Sequence, residues 1–247
     1  MNNSRKKNIV ENTVNVVMGV KNSPHQASYQ PDNQIPELDI SALIRYIFGT
    51  IVQITLMLGT LWLINLGFEQ LYNHNITSGI TNSLSCIILT ILAIRSRLFS
   101  PLDNTRSRSL YDHIQRPSWA PPPLAFPIVW MSIAVLRVIS AYLIWSASNH
   151  NFLCLPLILF VIHLALGDTW NTVFTVEGRL GFAVPVVIVG PWISVLAVTW
   201  SYWQTVPLAG VILFPSCIWL TIASILVYSI WKLNGQEAMY PLKIKSN

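Results

Sequence analysis

The sequence predicts an all-α integral membrane protein that crosses the bilayer six times. Three observations carry this. Hydrophobic residues make up 53% of the 247, and charged residues only 10%, against roughly 25% charged in soluble domains. The apolar residues fall into six blocks, each near the roughly 20 residues that a hydrocarbon core requires. Lys and Arg then alternate from one side of those blocks to the other, as the positive-inside rule demands. The net charge of +5 is explained by basic loops on one face of a bilayer, so lipid is expected as a partner and nucleic acid is not.

The chain opens with a polar stretch, Met1 to Asp39, rich in Asn, Ser and Pro. Arg5, Lys6 and Lys7 adjoin no apolar core, so this is not a secretory signal. Its composition predicts a disordered tail. The first apolar block runs from about Leu43 to Leu66, within an expected helical unit at 40–70. The second runs from about Ile76 to Ile94 and is diluted by Ser83, Ser85 and Thr90. The third, Leu124 to Trp145, and fourth, Phe152 to Phe174, are joined by the short turn SASNHN. The fifth, Phe182 to Trp200, follows VEGRLG, and the sixth runs from Pro207 to Trp231. Blocks two to six form a unit at 76–234, with a short tail at 235–247. Each must be helical, because lipid offers no partner to open backbone groups.

The basic residues fix the orientation. Arg5, Lys6, Lys7, Lys21 and Arg45 precede or begin block one, and none lies between blocks one and two. Arg95, Arg97, Arg106, Arg108 and Arg116 precede block three, and none separates three from four. Arg179 lies between four and five, none between five and six, and Lys232, Lys243 and Lys245 follow. Both termini are therefore expected on the cytoplasmic side. Trp145, Trp200, Tyr202, Trp203 and Trp231 sit near block ends, where an aromatic belt is expected. Cys86, Cys154 and Cys217 are far apart and odd in number, so they read as small packing residues rather than a disulfide or metal set.

Function turns on Arg116–Pro122, RPSWAPP, at the entrance to block three. Proline fixes φ and cannot donate a backbone hydrogen bond, so this loop is stiff. Its indole is amphipathic and suits a boundary or a ligand lid. Arg137 and Asp168 are charges deep within spans, about 20 Å and about 9 Å from the inner face at 1.5 Å per residue. Such charge is costly and reads either as an ion pair locking two helices or as an anchor for an acidic ligand. His163 reads as a polar contact between helices; the sharper alternative is an axial ligand to a metalloporphyrin. Leu226-Val227-Tyr228 with Lys232 fits a loose sterol-recognition pattern, equally explained by an interfacial Tyr and Lys. No nucleotide loop, catalytic triad or metal cluster is visible.

RPSWAPPPLAFPIVW, followed by AYLIW at Ala141–Trp145, YWQTVPLA at Tyr202–Ala209, FPSCIW at Phe214–Trp219 and YSIWKLN at Tyr228–Asn234, resembles the TspO/MBR family of translocator and tryptophan-rich sensory proteins. The resemblance implies a five-helix transmembrane bundle, with block one as an additional N-terminal transmembrane helix. It also implies a homodimer that binds porphyrins, sterols or other apolar ligands in a pocket closed by the proline-rich loop. By the same resemblance Trp119 stacks on the ligand and Pro121 and Pro122 stiffen the lid. Trp130, Trp170, Tyr202, Trp219 and Ala223 line the cavity, with Arg116 or Arg137 as anion partners. The chain departs from the family pattern at Gly167, Asn171, Thr172 and Val227, where polar anchors or a small or proline pair are usual.

The function expected is binding of a porphyrin-like or other apolar ligand, for transport, sequestration or stress signalling. No cofactor is required, and a haem-type tetrapyrrole is a ligand the site would suit. A bacterial inner membrane or a photosynthetic membrane fits equally. Two rivals are a porphyrin-degrading membrane enzyme and a ligand-free scaffold in a pigment membrane.

Overall fold

Among the described residues, six helices are long and apolar enough to cross a membrane. The computed structural model describes residues 20–21, 37–73, 78–102, 106–107 and 114–243. The helices are α1, Ile40–Asn73; α2, Ser78–Arg95, prolonged by a 3-10 turn at Ser96–Phe99; α3, Ala125–Ala147; α4, Leu155–Val176; α5, Leu180–Thr205; and α6, Pro207–Leu233. Val20–Lys21 pairs in parallel with Arg106–Ser107. The rest of the tail expected to be disordered, apart from 37–39, lies outside the described residues.

Local chemistry sets the ends. Asp39 caps α1, its Oδ1 accepting from the Ala42 N–H at 2.9 Å and from Ser41 Oγ at 2.7 Å, which satisfies one orphan donor of the first turn. Pro156 and Pro207 occupy the first turns of α4 and α6, where a missing N–H is harmless. The α3–α4 turn uses Asn149 and His150 at φ 51° and 59°. The α5–α6 hairpin closes at Gly210, where a Cβ would stand 2.8 Å from Trp203 Cα. The second block is less apolar than the rest, yet its hydroxyls are self-satisfied: Ser83 donates to Gly79 O and Thr90 to Cys86 O. That removes the penalty of carrying them into lipid.

α6 packs against α5 and α3, α5 against α4, and α3 against α2. The 3-10 turn after α2 reaches α4 and α1, closing the ring. α1 packs along α4. Large apolar residues face outward along single helix stripes, such as Val211, Phe214, Ile218, Ile222 and Ile225 on α6, the spacing of one helical face. These faces meet lipid.

α1 belongs to the core. Its Met57, Leu61 and Phe68 share one cluster with Leu89 and Leu92 of α2, Trp145 of α3, Phe160 of α4, Tyr202 of α5 and Leu213 of α6. Two aromatic residues expected at the boundary are consequently buried. Trp145 is fully covered, edge-on to Phe68 of α1 and tilted against Phe152, and Tyr202 is equally buried. Trp200 and Trp203 remain exposed. Of the cysteines only Cys217 is buried, with Thr199 Oγ1 at 3.2 Å; Cys86 and Cys154 are half-buried.

Polar bonds pin α1 along its length. Thr50 meets Thr169 at 2.6 Å, and Gln53 Nε2 donates to Asp168 Oδ2 at 2.8 Å and to Ser96 O at 3.1 Å. Ser96 Oγ donates to the same Asp168 oxygen at 2.6 Å. Toward the far end, Asn65 Oδ1 accepts from Phe152 N. At the near end Tyr46 and Arg45 bond Glu177, and Arg179 bridges Glu177, Asp39 and the Leu242 carbonyl. Asp39 N donates to Pro241 O and Lys243 N to Glu37 O, so the residues flanking α1 and following α6 meet at one end of the bundle. There Asp39 is held at about 2: burial opposes its ionisation, but the Ala42 N–H, Ser41 and Arg179 outweigh it. Burial pushes Glu237 the other way, against the Gly181 N–H that it accepts at 2.6 Å.

Candidate functional site

An aromatic group occupies the interior next to the loop at 114–124. Phe126 and Trp130 are four residues apart on α3 and share a face. Both meet Trp219 of α6 edge-on, at 5.9 and 6.4 Å between ring centroids. On α4, Trp170 stacks on Phe174 at 5.4 Å and 7°, again four residues apart. Phe126 joins the two halves, because it also packs in the cluster of Trp170, Phe174, Val227 and Ala120. Trp130 continues into a smaller cluster with Val195, Cys217 and Leu220.

The polar accounting inside this bundle is unusual. Buried side-chain polar groups normally find partners. Here the indole N–H of Trp170 and of Trp219, Arg137 Nε, Tyr202 OH, Ser216 Oγ and Trp145 Nε1 are buried without one among the described residues. By contrast Trp192 Nε1 donates to Thr221 Oγ1 at 2.9 Å, and Trp231 Nε1 to the Glu237 carbonyl at 2.8 Å.

The residues singled out from the sequence divide into groups. Trp130, Trp170 and Trp219 stand in the aromatic group, and Ala223 is buried on the same helix as Trp219. Tyr202 lies in the other large cluster, against Phe160 at 6.5 Å. The loop carries Arg116, Trp119, Pro121 and Pro122. Ile114 and Ala120 of the loop pack on the cluster that holds Trp170 and Phe174, while Trp119 is 48% exposed. Pro121 is half-buried and Pro122 exposed. The loop is tied to the end of α6 by Asn234, whose Nδ2 donates to Gln115 O and whose Oδ1 accepts from Gln115 N, both at 2.9 Å.

Arg137 and Asp168 do not pair: no ion pair joins them among the described residues. Asp168 faces the α1 seam through Gln53 and Ser96. Arg137 turns to His163, with Nη2 2.8 Å from Nε2, and His163 Nδ1 lies 2.8 Å from Ser194 Oγ. A guanidinium only donates, so Nε2 accepts and Nδ1 carries the proton toward Ser194. The Ser194 hydroxyl passes its own proton to Pro191 O at 3.2 Å. Both ring nitrogens are engaged, so His163 orients Arg137 and does not stand ready as an axial ligand.

Sequence reading left several contributors unnamed. Phe126 and Phe174 were signalled by their i, i+4 spacing to Trp130 and Trp170. Asn234 had no such signal, because its role depends on a loop 119 residues away.

Fold and interior together define a polytopic helical membrane protein with an aromatic core reached beneath a proline-rich loop. The TspO/MBR family model matches residues 85–232, and the chain belongs to that family. It is 34% identical over 128 residues to Protein CrtK of Rhodobacter capsulatus, covering 51% of this chain and 79% of that protein. It is 32% identical over 124 residues to the tryptophan-rich sensory protein of Cereibacter sphaeroides, covering 50% and 76%. The translocator protein of Sus scrofa is 32% identical over 127 residues, covering 50% and 74%. The family match begins inside α2, so α1 lies outside it.

Proposed function

We propose that this membrane protein binds a flat, apolar, porphyrin-like ligand among Phe126, Trp130, Trp170 and Trp219, beneath the 116–124 loop. The observation carrying this reading is the pair of buried indole N–H groups, on Trp170 and Trp219, that no protein atom satisfies. An unmade buried hydrogen bond costs about 1–3 kcal/mol, and a ligand acceptor recovers it. Aromatic walls supply stacking and dispersion for a conjugated ring. Names of the relatives, translocator and sensory protein, favour transport, sequestration or signalling as the output. Arg116 and the prolines of the loop serve as its rim.

The residues before α1 and after α6 meet at one end of the bundle, and the charge count favours the cytoplasmic face for it. Pairing into a homodimer is part of the proposal. α1 already packs along α4, so a second copy would use another helix face.

The test is quenching of tryptophan fluorescence in the detergent-solubilised protein, titrated with protoporphyrin, haem, a bilin and a sterol. Saturable quenching by a tetrapyrrole, weakened in Trp219→Leu and Trp170→Leu, is expected. Linear, non-saturating quenching by all four would overturn the reading. Light-dependent loss of the porphyrin absorption band would instead favour the degrading enzyme.

A further inference from the structure

We infer that the ligand is an acid, and that its carboxylate is held in mid-bilayer by Arg137, with Tyr202 as a second donor and His163 and Ser194 as positioning residues. This rests on the binding reading above and narrows its ligand to flat apolar bodies carrying an anionic arm.

Arg137 is charged at any accessible pH, and a buried cation in a span demands a counter-charge. Among the described residues no carboxylate stands in ion-pair contact with it. Asp168, the other charged residue at span depth, spends its Oδ2 on Ser96 and Gln53 at the α1 seam. The one group bonded to the guanidinium among the described residues is a neutral imidazole, His163. That contact uses Nη2 and leaves the buried Nε without a partner. The Arg–His–Ser–carbonyl chain crosses from α3 to α4 to α5 and ends on Pro191 O. It fixes the guanidinium from one side. Tyr202, fully buried on α5, packs in the same cluster as Val138 and Ala141 of α3, the neighbours of Arg137 in sequence, and its hydroxyl is also unpartnered among the described residues.

Of the seven buried unpartnered atoms among the described residues, six can donate, Ser216 Oγ included. Arg137 Nε and the indole nitrogens of Trp145, Trp170 and Trp219 can only donate, and the Tyr202 hydroxyl can donate. The lone groups able to accept without donating reduce to Gln53 Oε1, on the α1 seam. A guest rich in acceptors suits this interior, and an amine does not. Arg137 lies seven residues from Trp130 on α3, which is two helical turns, about 10 Å, on nearly the same face. The acid group therefore sits about 10 Å from the ring body held between Trp130 and Trp219. A guanidinium–carboxylate contact is among the stronger hydrogen bonds available, and low dielectric strengthens it further.

The experiment compares protoporphyrin IX with its dimethyl ester, which keeps the ring and removes both charges. Dissociation constants are read by tryptophan quenching in wild type, Arg137→Gln, Arg137→Lys and His163→Asn, each checked for folding by its thermal midpoint. The free acid is expected to bind wild type about tenfold or more tightly than the ester, the scale of 1.4 kcal/mol. That preference should vanish in Arg137→Gln, survive in part in Arg137→Lys, and shrink in His163→Asn with ester binding unchanged. Equal affinity of acid and ester for wild type overturns the inference and leaves the binding reading standing. An acid preference that persists in Arg137→Gln overturns the assignment to Arg137. If neither probe quenches saturably, the binding reading falls and the inference falls with it. Should Arg137→Gln not fold, the wild-type ratio and Arg137→Lys still decide.

Discussion

The seam between α1 and α4 and the aromatic interior under the loop lie in the same solvent, yet they treat hydrogen-bond donors in opposite ways. At the seam Thr50 meets Thr169, and Gln53, Ser96 and Asp168 close on one another. In the interior Trp170, Trp219, Arg137 and Tyr202 keep donors that no protein atom accepts. Lipid offers no hydrogen bonds, so the first pattern holds helices together and the second does not. The contrast separates a region built for stability from one whose polar groups are arranged for a guest. α1, outside the family match, supplies the seam, while the interior comes from helices inside it.

The largest effect expected falls on the seam. Asp168→Ala strands the Ser96 hydroxyl and one N–H of the Gln53 amide, the other keeping Ser96 O, and should cost about 1–3 kcal/mol. It appears as a lower thermal midpoint and faster proteolysis around α1, with tetrapyrrole quenching retained at temperatures where the protein is folded. The interior should respond in reverse. Tyr202→Phe removes an unpartnered buried hydroxyl, so its stability should stay level or rise by up to about 1 kcal/mol, while affinity for an acidic ligand drops. A drop in midpoint like that of Asp168→Ala would erase the contrast. A double-mutant cycle on Thr50→Val and Thr169→Val sharpens it further, with a coupling of about 0.6 kcal/mol expected from hydrogen bonds between membrane helices.

The smallest effect concerns the ionic end of the seam. Asp39 titrates at about 2 in the fold against 3.8 for an ordinary Asp. Its contribution is complete above about pH 4 and lost as pH falls toward its folded value. Acid unfolding of Asp39→Asn should therefore be less steep in that window than wild type, measured by far-UV circular dichroism.

Hydropathy made the six spans legible, and the structure keeps all of them with ends moved by a few residues. It could not show azimuth. Arg137 and Asp168 are both at span depth, but Asp168 comes five residues after His163, about 140° around α4. That rotation sends it to α1 and leaves Arg137 with the imidazole. Trp145 looked like a boundary residue because the sequence does not announce that Phe68 of α1 covers it. The π turns at Thr172–Val176 and Ile188–Trp192 were also silent. The aromatic group was readable in part, since Trp130 and Trp170 declare their faces through i, i+4 partners. Which loop residues touch it was not: Ile114 and Ala120 pack there while Trp119 is half exposed.

The most direct test is a proton–nitrogen spectrum of the tryptophan side chains in nanodiscs, recorded with and without protoporphyrin IX. The indole N–H signals of Trp170 and Trp219 should move strongly on binding, because those donors gain an acceptor and lie beside the ring. Trp192 and Trp231, already bonded to Thr221 and Glu237, should move little. Shifts confined to the exposed Trp119, Trp200 and Trp203, with Trp170 and Trp219 unchanged, would contradict a guest held inside the bundle.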